Sequence, residues 1–101
     1  MNILVSVSAT VNVTDVTAQR KVSKLLDLVG TQLYGERPGL VAGCRLLWRV
    51  PVWLGLPSRG PVGQIGMIDV DAQSGEILYT QQLLDEIAER GDALARRTLS
   101  A

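Results

Sequence analysis

The chain has no histidine, a single cysteine and few aromatic residues, 4% of 101. Without histidine, neither Ser-His nor Cys-His machinery can be assembled, and the commonest zinc sites lose their usual ligands. One cysteine allows no intrachain disulfide. That residue, Cys44, lies in the run Val41-Ala42-Gly43-Cys44-Arg45-Leu46 and reads as a buried thiol. Ten basic and ten acidic residues cancel, so no net field draws in a polyanion or an anionic membrane from a distance. Nucleic acid and membrane are therefore not expected as partners. No stretch approaches the ~18 consecutive apolar residues of a membrane span; Arg49, Pro51, Gly55 and Pro57 interrupt the longest candidate. The N-terminus lacks the basic and apolar regions of a signal peptide, so a cytoplasmic location is expected.

Of the residues present, 47% are hydrophobic, enough for one core, and no linker or repeat divides the chain. A single domain over residues 1–101 is expected. Residues 3–13 alternate, with Ile3, Val5, Val7, Ala9, Val11 and Val13 on one face, which predicts a half-buried strand. The spacing then changes. A helix is predicted from about Thr14, its apolar stripe Val22, Leu25, Leu26, Val29 and Leu33, closed at Gly35 or by Arg37-Pro38-Gly39. Residues 40–56 are too rich in Val, Trp and Gly for a helix and read as one long strand with a bend. Its inner face is Leu46, Trp48, Val50, Val52 and Leu54, with Pro51 marking an edge position or a bulge. A turn at 56–61 returns the chain as a strand over 62–71. Asp71-Ala72-Gln73-Ser74-Gly75 turns it again into a short strand at 76–79. Thr80 caps a C-terminal helix with a stripe of Leu83, Leu84, Ile87, Ala88, Leu94 and Ala95, which Gly91-Asp92 threatens to break.

The candidate chemistry is thin. Asp69, Asp71 and Glu76 begin like a calcium loop, but Ser74 replaces the required glycine and Thr80 the bidentate glutamate, so turn chemistry is the better account of them. No catalytic, cofactor-binding or metal-binding residue is expected. Arg45, Arg49 and Trp53 share the outer strand face and form a candidate interaction surface, as do Leu84 and Ile87 on the last helix. Trp48, Val52, Ile65 and Met67 form a candidate pocket between helix and sheet. Arg96-Arg97 complements the C-terminal end of a helix dipole.

Trp48-Arg49-Val50-Pro51-Val52, followed by Gly66-Met67-Ile68-Asp69-Val70-Asp71-Ala72-Gln73-Ser74-Gly75-Glu76, resembles PepSY-type domains. There a helix precedes a W-x-V strand, and a later strand ends in a V-D-A-x-T-G-E turn. The likeness spans residues 14–78. It implies a helix laid on a curved antiparallel sheet in the cystatin-like style, and a role in binding or inhibition. The strand over 3–13 is extra to that pattern, and the Gln-x-Val-x-Gly tip of cystatin-type inhibitors is missing at Gln64-Ile65-Gly66.

The expected fold is thus α+β, with a helix on a curved antiparallel sheet of about four strands and a C-terminal helix. The expected function is a non-enzymatic protein-binding or regulatory module, self-associating as a homodimer or binding another protein. The alternative is a small-ligand carrier or sensor with a pocket between helix and sheet.

Overall fold

Thr14 starts the first helix by accepting the amide of Thr17 on its hydroxyl at 3.1 Å, which satisfies one of the free amides of the first turn. In the computed structural model, which describes residues 10–30 and 32–100, this helix is α1 (Asp15–Leu26). Ala18, Val22 and Leu26 form its buried stripe. It ends sooner than the spacing predicts. The amides of Leu28 and Val29 turn back to the carbonyls of Leu25 and Leu26, the tighter pattern that closes a helix. Leu33 is therefore not helical and belongs to β1 (Leu33–Gly35). Gly35 is tied to α1 through its amide, which donates to Ser23 Oγ, and its carbonyl, which accepts from Gln19 Nε2, both at 3.0 Å. Of the strand expected over 3–13, residues 3–9 lie outside the described residues. Residues 10–13 form no strand; the amides of Asn12 and Val13 both donate to the Ala72 carbonyl.

The long strand expected over 40–56 is a hairpin. β2 (Gly39–Ala42) bends at residues 43–45 into β3 (Leu46–Leu56). Cys44, expected to be buried, lies in that bend and is exposed, because a bend carries its side chains outside the packed layers. β4 (Gly60–Asp71), β5 (Ile77–Leu78) and α2 (Gln81–Ser100) follow. The result is α+β: among the described residues, two helices and a five-stranded antiparallel sheet in the order β1-β3-β4-β5, with β2 also on β3.

β1 and β2 lie end to end along one side of β3. Pro51 thus sits in a central strand instead of at an edge, and it is tolerated for a local reason. Its carbonyl accepts from the Glu36 amide at 2.8 Å. Within a strand the amide and carbonyl of one residue point the same way, so the missing N–H faces the gap between β1 and β2, where no ladder bond is lost.

The inner face of β3 follows the expected phase, with Val50, Val52, Leu54 and Leu56 buried. Both helices cover this face, and Val22, Leu26, Val52, Ile68, Val70 and Ile87 meet in one core. Thr80 begins α2 by accepting the Leu83 amide at 3.1 Å. Gly91 does not break the helix. A Cβ there would stand 3.1 Å from Leu33 Cδ2 and 3.3 Å from Ile65 Cδ1, so the glycine is what lets α2 lie close to the sheet. Leu84 and Ile87, 7% and 0% exposed, pack into the chain's own core and present no surface to a partner. Among the described residues, no helix is long and apolar enough to cross a membrane.

Ile87→Ala is expected to lower the unfolding free energy by about 2–5 kcal/mol. Gly91→Val is expected to lower it by about 1–3 kcal/mol through overpacking. Urea denaturation followed by Trp fluorescence measures both, and near-wild-type values would show that α2 does not close the core.

Candidate functional site

Both helices lie on one side of the sheet, so the site is sought on the other. Register fixes which side chains stand there. Across the outer face, Leu47 opposes Val41 and Asp71, Arg49 opposes Asp69, Pro51 opposes Met67, and Trp53 lies between Tyr34 and Gln64. Leu78 extends the Arg49–Asp69 row.

The β3–β4 register depends on two irregularities. The three-residue turn after Leu56 closes on Gly60, whose φ of 71° is the left-handed conformation such turns favour. Pairing then slips by one residue at Val62 and again at Ile65, each an extra residue on β4. A single slip would reverse the faces of β4, whereas two restore them. The same turn without bulges would set Met67 opposite Arg49; with them, Arg49 meets Asp69.

Two ion pairs result. Arg49 Nε and Nη2 donate to Asp69 Oδ1 and Oδ2 at 3.0 and 3.2 Å, a bidentate fork, and the carboxylate holds the guanidinium pKa above its ordinary value. Arg45 Nη1 donates to Asp71 Oδ2 at 3.2 Å. The other Asp71 oxygen accepts the amides of Gln73 and Ser74 at 2.8 and 3.0 Å and so builds the turn into β5, which Gly75 completes at a φ of 80°. Those amide bonds, those of Ser74 and Gln73 first, pull the Asp71 pKa below its ordinary value, and Arg45 adds to the pull.

At the opposite end the face is apolar. Trp53 and Pro51 are half-buried and Met67 is 48% exposed. The Tyr34 ring lies beside Gly55, with Cε1 3.1 Å from where a Cβ would be, so the missing side chain gives the ring a seat. Partial burial, with Glu36 nearby, raises the Tyr34 pKa and keeps its phenol neutral. Among the described residues the surface is therefore an uncovered sheet face, with an apolar end and a charged end whose charges are already paired.

Of the expected interaction residues, Arg45, Arg49 and Trp53 share this face, whereas Leu84 and Ile87 lie in the core on its far side. The expected pocket residues do not come together. Val52 is fully buried, and Trp48 is half-buried with its indole N–H donating to the Val13 carbonyl at 2.6 Å. Ile65 is 8% exposed toward α2, while Met67 stands on the outer face. Strict alternation puts Ile65 and Met67 on one side; the bulge at Ile65 separates them. Reasoning from sequence missed Tyr34, whose strand was read as the tail of a helix, and Met67 as an outer residue. Among the described residues, no three metal-ligating side chains gather.

Comparison with protein-family models, with curated proteins and with solved structures yields no significant match.

Asp71→Asn keeps an oxygen for the turn amides and loses the charge. A lowered folded pKa contributes stability above the unfolded value of about 3.9, and that contribution disappears as pH falls through the folded value. The wild type is therefore expected to be more stable than Asp71→Asn at pH ~7, and the two to converge as pH falls below ~3.9. Urea denaturation over this range measures the difference, and a gap unchanged by pH would refute the assignment.

Proposed function

We infer that the chain is a non-enzymatic protein-binding or regulatory module that associates with a second copy through the uncovered face of its sheet. The observation that carries this reading is the placement of both helices on one side, which leaves Trp53, Pro51, Met67 and Tyr34 without a covering layer among the described residues. An antiparallel sheet tolerates one face in water, but a contiguous apolar patch on that face marks a contact site, and a symmetric partner covers it.

A two-fold interface must be complementary to itself. The arginines of this face are already paired with aspartates of the same chain, so an identical face meets no uncompensated like charge. An exposed Met and a half-buried Trp suit the centre of such an interface, and the Arg–Asp pairs suit its rim. The resemblance to PepSY-type domains supports the same class of function. An exposed, unpaired Cys44 fits a reducing compartment such as the cytoplasm.

Sedimentation velocity over a range of protein concentrations, with reductant present to keep Cys44 out of the result, tests the reading. The wild type is expected to dimerise as concentration rises. Trp53→Glu combined with Met67→Glu is expected to leave a folded monomer, with circular dichroism unchanged. A wild type that stays monomeric throughout, or a dimer that survives both substitutions, would overturn it.

A further inference from the structure

A second surface lies on the helix side of the sheet and is independent of the first. β5 pairs with β4 only at Asp69 and Val70, so among the described residues β4 over 60–68 has β3 on one side and no strand on the other. The Asp71 amide donates to the Glu76 carbonyl across this edge at 2.8 Å. Alternation then turns the amides and carbonyls of Asp69 and Met67 the same way, and Met67 lies beyond the reach of β5.

Between this edge and α2 runs a groove of about 610 Å³, bounded by residues 62–66 on one side and by Arg90, Leu94 and Arg97 on the other. No acidic side chain among the described residues lines it. Arg90 Nη1 donates to the Ile65 carbonyl at 3.3 Å, and its only ion pair among the described residues is with Glu86, at 4.0 Å. A guanidinium has five N–H donors, so most of those on Arg90 stay available. Arg97, which reads in the sequence as a complement to the helix dipole, has no ion pair among the described residues.

We propose that this groove takes an extended acidic peptide segment of a partner protein, added as a further strand along β4. Main-chain bonds to the open edge hold such a segment, and Arg90 and Arg97 select its charge. The two arginines are seven residues apart on one helix, roughly 10 Å at about 1.5 Å per residue. Carboxylates two or four residues apart on one face of a strand are roughly 7 or 13 Å apart, and long arginine side chains span either difference. The bulges at Val62 and Ile65 kink the edge, which disfavours pairing with the long edge of a second copy and leaves room for a short segment.

Fluorescence anisotropy with labelled heptapeptides tests the assignment. The probes are Val-Glu-Val-Thr-Val-Glu-Val and Val-Glu-Val-Glu-Val-Thr-Val, the same peptides with Lys for Glu, and backbone N-methylated glutamate versions. At least one glutamate peptide is expected to bind, with affinity falling as salt rises. Binding is expected to be at least about tenfold weaker for its lysine and N-methylated counterparts, and likewise for its complex with the Arg90→Glu, Arg97→Glu variant. Arg97→Glu alone serves if the double variant loses its native circular dichroism, since Arg90 also bonds to Ile65. Failure of both glutamate peptides, equal binding of the lysine peptides, or binding unchanged by Arg97→Glu would overturn the proposal. Because Trp53 lies on β3 and does not line this groove, a folded Trp53→Ser variant should bind the peptide as the wild type does, whatever the sedimentation result.

Discussion

Ile87 rests against Gly66, and on that contact the arrangement of the whole molecule depends. A Cβ on Gly66 would stand 3.1 Å from Ile87 Cγ1, and one on Gly91 equally close to Leu33. Two positions without side chains, one on the sheet and one on the helix, thus let α2 settle beside α1 over the same side of the sheet. Packing at interior density requires such closeness, because a gap too small for water simply loses its dispersion contacts. The core is completed on that side alone. Everything proposed for the outer face follows from this one-sidedness, and the groove beside β4 exists because the same helix runs past the open edge.

The charged end of the outer face adds little to stability. Arg45 and Arg49 are about half exposed, 51% and 42% by side chain, while Asp71 and Asp69 are 13% and 24% exposed, and solvent around the guanidinium ends screens much of the attraction. Their effect is on specificity. A slipped β4 would bring Met67 or another neutral residue opposite Arg49 and leave Asp69 unpaired, so the forked pair favours the bulged register over its competitors. Asp71 couples the same register to the turn that leads into β5, since one carboxylate oxygen serves Arg45 and the other serves the turn amides.

Features governed by local chemistry were legible in the sequence. Thr14 and Thr80 as caps, Gly75 at a positive φ, Asp71 as a turn acceptor and the buried phase of β3 each depend on neighbours within a few residues. The α+β class followed from those segments. Features set by distant partners were not legible. Leu33 stands seven residues after Leu26, a spacing that a helix also produces, so a three-residue strand passed for a helical turn. β2 is too short for alternation to separate it from β3, so the expected bend was not read as the reversal at 43–45 that exposes Cys44. Part of the candidate surface, Arg45, Arg49 and Trp53, was found because strand phase is a local property. The pocket was misdrawn because a bulge has no signature in alternation, and Ile65 and Met67 consequently lie on opposite sides.

The long β3–β4 hairpin also bears on how the chain acquires its structure. Its strands are joined by a three-residue turn and pair over residues close in sequence, so closing it costs little loop entropy and it can form early. α1 and β1 precede it in the chain and have nothing to pack against until it has emerged. α2, which covers the remaining core, follows it. During synthesis the part of the inner face that α1 does not cover therefore stays wet until this twenty-residue helix arrives, and a ribosome paused before α2 holds out a half-covered apolar sheet to other chains.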